Sequence, residues 1–201
     1  MLDARLQPLI GIPLNWTGRW LARAGVSANT VTLCGTVVAL GCVLAIARQD
    51  YVLGLALIAL CRVLDGVDGA VARASHRTDL GGYLDIVSDY VFYAGVPLGF
   101  AIAVPVANAL PAAALLASFL LTTSSFLAYA TLAAKRGMTA DPAREKSFFY
   151  SKGLMEGTET IAFFVAMALW PAHFATLAWV CAGLCVLTAI QRSATAFRHF
   201  R

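Results

Sequence analysis

The chain has 201 residues, of which 60% are hydrophobic and only 13% charged, and it carries a formal net charge of +4 at pH 7. A soluble domain of this length has too little interior to hide so much apolar surface, so the composition points to an integral membrane protein; no nucleic-acid partner is expected. The apolar runs are long and lack period-two alternation, which argues for helices and against a β-barrel.

The extreme N-terminus, Met1 to Arg5, lacks the apolar core of a cleavable signal peptide. The next stretch, through Trp16, Arg19 and Trp20, mixes apolar, aromatic and basic residues, and is expected to be an amphipathic helix lying at the membrane interface. This gives an interfacial segment over residues 1–28 and a membrane domain over 29–201. Six transmembrane helices are expected in the domain, making the fold class an all-α membrane bundle. They run from about Val31 to Ala47, Tyr51 to Ala74, Leu80 to Val104, Pro111 to Ala134, Thr160 to Trp170 and His173 to Ile190. The fifth is short and is expected to extend back towards Leu154, with Pro171 marking the break before the sixth. Cys34, Cys42, Cys61, Cys181 and Cys185 all fall in apolar segments with no metal-ligand spacing to His, as expected of buried free thiols.

Lys and Arg set the orientation. Arg5, Arg19 and Arg23 precede the first span, and Arg73 and Arg77 lie at the end of the second. Lys135, Arg136, Arg144, Lys146 and Lys152 follow the fourth, and Arg192, Arg198 and Arg201 follow the sixth. With six spans all of these fall on one face, whereas the other has only Arg48. The basic face, with both termini, is expected to be cytoplasmic in a bacterial inner membrane.

Against this apolar background stand Asp65, Asp68, Asp85 and Asp89. Ionisable residues at membrane depth are costly and usually mark a site. Asp65 and Asp68 are three residues apart and Asp85 and Asp89 four apart, so each pair shares one helix face. The connection between the two helices is short, making them antiparallel neighbours with both pairs at the same end. Four converging carboxylates call for cations, and oxygen ligands favour Mg²⁺, Mn²⁺ or Ca²⁺ over Zn²⁺. Two such ions can clamp a phosphoryl group. Gly66, Gly69, Gly81 and Gly82 leave room for a nucleotide or another backbone, and Arg73 lies one turn beyond Gly69, within reach of phosphate oxygens.

The run Asp65-x2-Asp68-Gly69-x2-Ala72-Arg73, followed by Gly81-x3-Asp85-x3-Asp89, resembles the signature of the CDP-alcohol phosphotransferase family at every fixed position. The spacer between Arg73 and Gly81 is one residue shorter than is usual there, although Thr78 keeps its place before Gly81. Ser27 to Thr32 is similar to the family segment that opens the first span. The resemblance implies two divalent cations, Mg²⁺ or Mn²⁺, held by Asp65, Asp68 and Asp85, with Asp89 binding metal or acting as general base. It implies a CDP site formed by Asn29, Thr32, Asp65, Gly69, Ala72, Arg73, Thr78 and Gly81. It also implies CDP-diacylglycerol and a small acceptor alcohol as substrates, CMP as the leaving group, and a homodimer.

The acceptor is less determined. Lys135, Arg136, Lys152 and Arg192 lie in the loop and tail that face the site, and the segments Tyr129 to Arg136 and Gln191-Arg192 are loosely similar to ones in phosphatidylinositol-phosphate synthases, which hold a phosphorylated acceptor with basic residues; the positive-inside bias and attraction to anionic headgroups account for these charges equally well. An inositol phosphate or glycerol phosphate, or an unphosphorylated alcohol, all remain open. Glu156, Thr158 and Glu159 suit either contact with an acceptor or the capping of a helix start. Competing functions are a metal-dependent lipid pyrophosphatase, a cation transporter and a catalytically inactive scaffold. The acidic residues cluster towards one face with none continuing the path, which disfavours transport, and the complete acid set disfavours the scaffold.

Overall fold

The computed structural model describes residues 3–137 and 154–200. Helices account for nearly all of them: α1 (Asp3–Arg23), α2 (Ala28–Ala47), α3 (Tyr51–Ala74), α4 (Asp79–Ala103), α5 (Pro105–Lys135), α6 (Gly157–Leu169) and α7 (Phe174–Phe200). No strand occurs among the described residues. Within them, α2, α4, α5 and α7 together with its preceding 3-10 turn are long and apolar enough to cross a membrane. The charged end of α3 sets that helix apart, as does the length of α6, only 13 residues.

Local chemistry explains most of the boundaries. Ser27, Asp50 and Thr78 cap α2, α3 and α4 by accepting from the backbone N–H of Thr30, Leu53 and Gly81. Glu156 and Glu159 form a reciprocal capping box at the start of α6, which is the helix-start role open to them from sequence. Gly25 ends α1 at φ +79°, a left-handed conformation that suits glycine. At the α2–α3 turn that conformation falls on Gln49, whose Nε2 donates to the Ala103 carbonyl at 2.9 Å and so ties the turn to the end of α4.

Two boundaries differ from expectation. The fourth span begins at Pro105 rather than Pro111, because Pro105 takes the first helical turn, where its missing N–H is no loss. Pro111 then sits inside the helix, as prolines do in apolar bundles. The last helix runs on from Ile190 to Phe200, since Gln191 to Phe200 contains no glycine or proline to stop it.

The core lies where α2 to α7 meet. Phe100 stacks on Phe174 at 4.6 Å and on Tyr51 at 5.7 Å, and Phe92 meets Phe164 edge-on at 5.7 Å. Gly95 and Gly99 of α4 lie directly against Val43 of α2, which brings these two helices together. A smaller cluster joins α1 to α3: Leu14 lies over Gly66, and Gly18 abuts Ala70. Val52, Leu110 and Val106, by contrast, are exposed on the outside, as expected of residues facing lipid.

Candidate active site

Helices α2, α3 and α4 converge on the acidic residues. The three-residue spacing of Asp65 and Asp68 puts both on the face of α3 that looks towards α4, which presents Asp85 and Asp89 from one face in turn. Carboxylate oxygens of Asp65, Asp68 and Asp85 lie within 4.8 Å of one another. All four aspartates border one open cleft, together with Thr32, Arg62 and Ser88.

Asp68 is buried, at 6% exposure, and Thr32 Oγ1 donates to its Oδ2 at 2.7 Å. That bond fixes one carboxylate oxygen from a neighbouring helix. Ser88 bonds to Thr36 and lies 3.4 Å from the Thr32 carbonyl, joining α4 to the same turn of α2. Asp89 occupies a different setting, with Nη1 and Nη2 of Arg62 both 3.3 Å from its Oδ1. Arg62 Nη1 also lies 3.4 Å from Asp65 Oδ2. The group therefore divides into a three-carboxylate cradle and Asp89, which stands outside it and shares the Arg62 guanidinium with Asp65.

The cradle fits a hard divalent cation. Its donors are three carboxylate oxygens that lie within 4.8 Å of one another, converging as the ligands of a hard cation do. Asp65, Asp68 and Asp85 are the residues that would hold it.

The remaining residues expected at the CDP site form two groups, one at the start of α4 and one on the last turns of α3. Asn29, Thr78 and Gly81 meet at the start of α4: the Thr78 hydroxyl accepts from Gly81 N at 3.0 Å, and a Cβ on Gly81 would lie 3.1 Å from Asn29 Oδ1. Arg73 folds back along Gly69, where a Cβ would lie 3.4 Å from its Nη1. Its Nη2 donates to Asn15 Oδ1 of α1 at 3.1 Å. Ala72 is partly buried on the intervening turn of α3.

Of the basic residues expected to hold the acceptor, Lys135, Arg136 and Arg192 do not line the carboxylate cleft. Arg136 donates to the carbonyls of His199 and Phe200 at 3.2 and 2.8 Å, tying the end of α5 to the end of α7. Arg192 is buried, donates to the Thr122 carbonyl at 3.1 Å and lies over Phe126. Lys135 is exposed in the last turn of α5, and Lys152 falls outside the described residues.

Arg62, the partner of Asp89 and Asp65, was not among the residues expected at the site. Its signal was present: an arginine three residues before Asp65 shares that residue's helix face.

The family model for CDP-alcohol phosphatidyltransferases matches residues 26–191, a span containing the whole carboxylate cluster. The chain belongs to the CDP-alcohol phosphatidyltransferase family. Among relatives of this phosphatidyltransferase-family chain, the inner membrane protein YnjF of Escherichia coli (strain K12) is 45% identical over 192 residues, covering 96% of this chain and 93% of that protein. The archaetidylinositol phosphate synthase of Pyrococcus horikoshii is 30% identical over 100 residues, covering 49% of this chain and 53% of that enzyme. The fold is that of Mycobacterium tuberculosis phosphatidylinositol phosphate synthase. The crystal structure of that enzyme with CDP-DAG bound gives a TM-score of 0.71 at 22% identity, covering 92% of this chain and 93% of the other. Its complex with manganese and citrate gives 0.70 at 22% identity, covering 92% and 88%.

Proposed function

We propose that this family member transfers a phosphatidyl group from a CDP-linked lipid, CDP-diacylglycerol, to the hydroxyl of a small polar alcohol and releases CMP. The observation that carries this reading is the division of the acidic cluster into a three-carboxylate cradle and a separate, arginine-held Asp89. Two divalent cations, Mg²⁺ or Mn²⁺, on Asp65, Asp68 and Asp85 would supply charge neutralisation and polarisation at the diphosphate. Asp89 takes the proton of the acceptor hydroxyl. The hydroxyl oxygen forms a bond to the β-phosphorus, and the bond from that phosphorus to the bridging oxygen breaks, leaving CMP. Arg73 stabilises charge on the phosphate oxygens through its planar fork. Asn29, Thr32, Gly69, Ala72, Thr78 and Gly81 form the wall against which the cytidine diphosphate lies.

The names of the relatives make an inositol-phosphate-type acceptor the first to test, with Lys135, Lys152 and Arg192 as candidates for its phosphate. Arg136 and Arg192 are both engaged with backbone carbonyls, which makes them weaker candidates than Lys135. In the membrane, α3 and α6 join α2, α4, α5 and α7 to complete six spans. The Trp16- and Trp20-bearing helix α1 lies at the interface, and the basic face, with the site, is cytoplasmic in a bacterial inner membrane. The working unit is a homodimer, by family likeness.

Purified protein incubated with CDP-diacylglycerol and a panel of inositol phosphate, glycerol phosphate, inositol and glycerol, with lipid products identified by mass spectrometry, tests this reading. A single phosphatidyl-alcohol product is expected, and no new lipid with any acceptor would refute it.

A further inference from the structure

Arg62 is an unusual residue to find between apolar helices. Its side chain is 22% exposed, and its guanidinium carbon lies 4.4 Å from the centroid of Phe92 and 5.6 Å from that of Tyr93. Phe92 is itself buried at 1% exposure, so the ring offers a fixed platform for the cation. Arg62 Nε is buried with no hydrogen-bond acceptor among the described residues. The polar contacts of the guanidinium are therefore made through its Nη atoms, which converge on Asp89 Oδ1 and reach Asp65 Oδ2.

We infer that Arg62 is a positioning residue for Asp89 and a resident counter-charge of the carboxylate cluster, competing with a divalent cation for Asp65. The inference rests on the proposed transferase reading and deepens it. Two consequences differ in kind. The first is geometric: with Oδ1 engaged by the fork, the proton-accepting role falls to Asp89 Oδ2. The ring under the guanidinium keeps that direction fixed. The second is electrostatic: the guanidinium next to Asp65 opposes a second positive charge there, so its removal leaves the cradle more negative and strengthens its hold on a divalent ion. Simple structural damage would act in the opposite direction and loosen metal binding.

The test uses the full chain in detergent, with Mn²⁺ as probe and free Mn²⁺ read by its paramagnetic resonance signal. Arg62→Met keeps an unbranched stem against Phe92 but removes charge and fork. It is expected to bind Mn²⁺ at least about threefold more tightly. Its kcat should fall at least about tenfold, because the base is no longer oriented. KM for CDP-diacylglycerol should move by less than about threefold, since the lost interaction acts at the chemical step. Arg62→Lys keeps the cation without the planar fork: Mn²⁺ affinity should stay within about twofold of the unaltered protein while kcat remains at least about tenfold down.

Unchanged or weakened Mn²⁺ binding in Arg62→Met overturns the counter-charge role, and full kcat in Arg62→Lys overturns the positioning role. Should Arg62→Met not fold, Arg62→Gln, which also removes the charge, takes over the Mn²⁺ measurement, and Arg62→Lys still decides the positioning role. The metal measurement needs no substrate. A protein that binds Mn²⁺ as described but forms no lipid product would refute the transferase reading alone, whereas one that binds no Mn²⁺ would refute both.

Discussion

Thr32 Oγ1 of α2 donates a 2.7 Å hydrogen bond to Asp68 Oδ2 of α3, in a setting where both residues are only 6% exposed. The bond links the segment that opens the first span to the carboxylate cradle. Thr32→Val keeps the branched shape and removes the donor. Losing a hydrogen bond to a buried charged group is worth about 1.5–3 kcal/mol, but the cation would supply part of the missing interaction. The Mg²⁺ concentration for half-maximal activity should therefore rise about three- to tenfold, a range of roughly 0.7–1.4 kcal/mol. A magnesium titration of the variant measures this directly.

Asp68 and Asp89 should fail in different ways. Asp68→Ala removes one of the three cradle ligands, and Mn²⁺ affinity should fall at least about tenfold, the loss of a charged oxygen donor being large in a partly buried site. Asp89→Asn keeps the size of the side chain and should leave Mn²⁺ binding nearly intact while abolishing transfer. Parallel binding and turnover measurements on the two variants make the comparison. Equal loss of Mn²⁺ affinity in both would mean that Asp89 belongs to the cradle.

Thr78 accepts from Gly81 N at the first turn of α4, the helix that carries Asp85 and Asp89. Thr78→Ala removes the cap, at a cost of about 1 kcal/mol. Thr78→Ser should retain most of it. The thermal midpoint in detergent should therefore fall for the alanine variant and stay near the original for serine. The same order in KM for the CDP-lipid would add a substrate role to the cap.

Gly18 marks the crossing of α1 over α3, where a Cβ would stand 2.6 Å from the backbone carbon of Ala70. Helix propensity alone makes Gly→Ala stabilising by about 1 kcal/mol. Overpacking against backbone costs about 1–3 kcal/mol. Gly18→Ala should thus lower the thermal midpoint, and by moving α1 it should also disturb the bond from Arg73 to Asn15. A raised midpoint would show that α1 does not lie against α3 in this way.

Much of this architecture was readable beforehand. A helix was expected from Tyr51 to Ala74, and α3 has those ends, with Asp50 as its cap, although it is not among the helices apolar enough to count as a span. The meeting of Asp65, Asp68 and Asp85 followed from three- and four-residue spacings on helices joined by a short turn. What was not legible depends on which faces of separate helices meet. The bond from Thr32 to Asp68 spans 36 residues, and the link from Arg62 to Asp89 spans 27. Arg136 shows the same limit, since its charge was visible in sequence but its use on the carbonyls of α7 was not. Prolines misled in one place: Pro111 suggested a helix start, although the helix begins nearly two turns earlier, at Pro105.

The most direct measurement follows CMP and lipid product together, from CDP-diacylglycerol in the presence of Mg²⁺, with and without an acceptor alcohol. CMP should appear only when the alcohol is present, in step with one molecule of new phospholipid for each CMP, and neither product should form with Asp89→Asn. CMP released at the same rate without alcohol, or undiminished transfer by Asp89→Asn, would contradict the account.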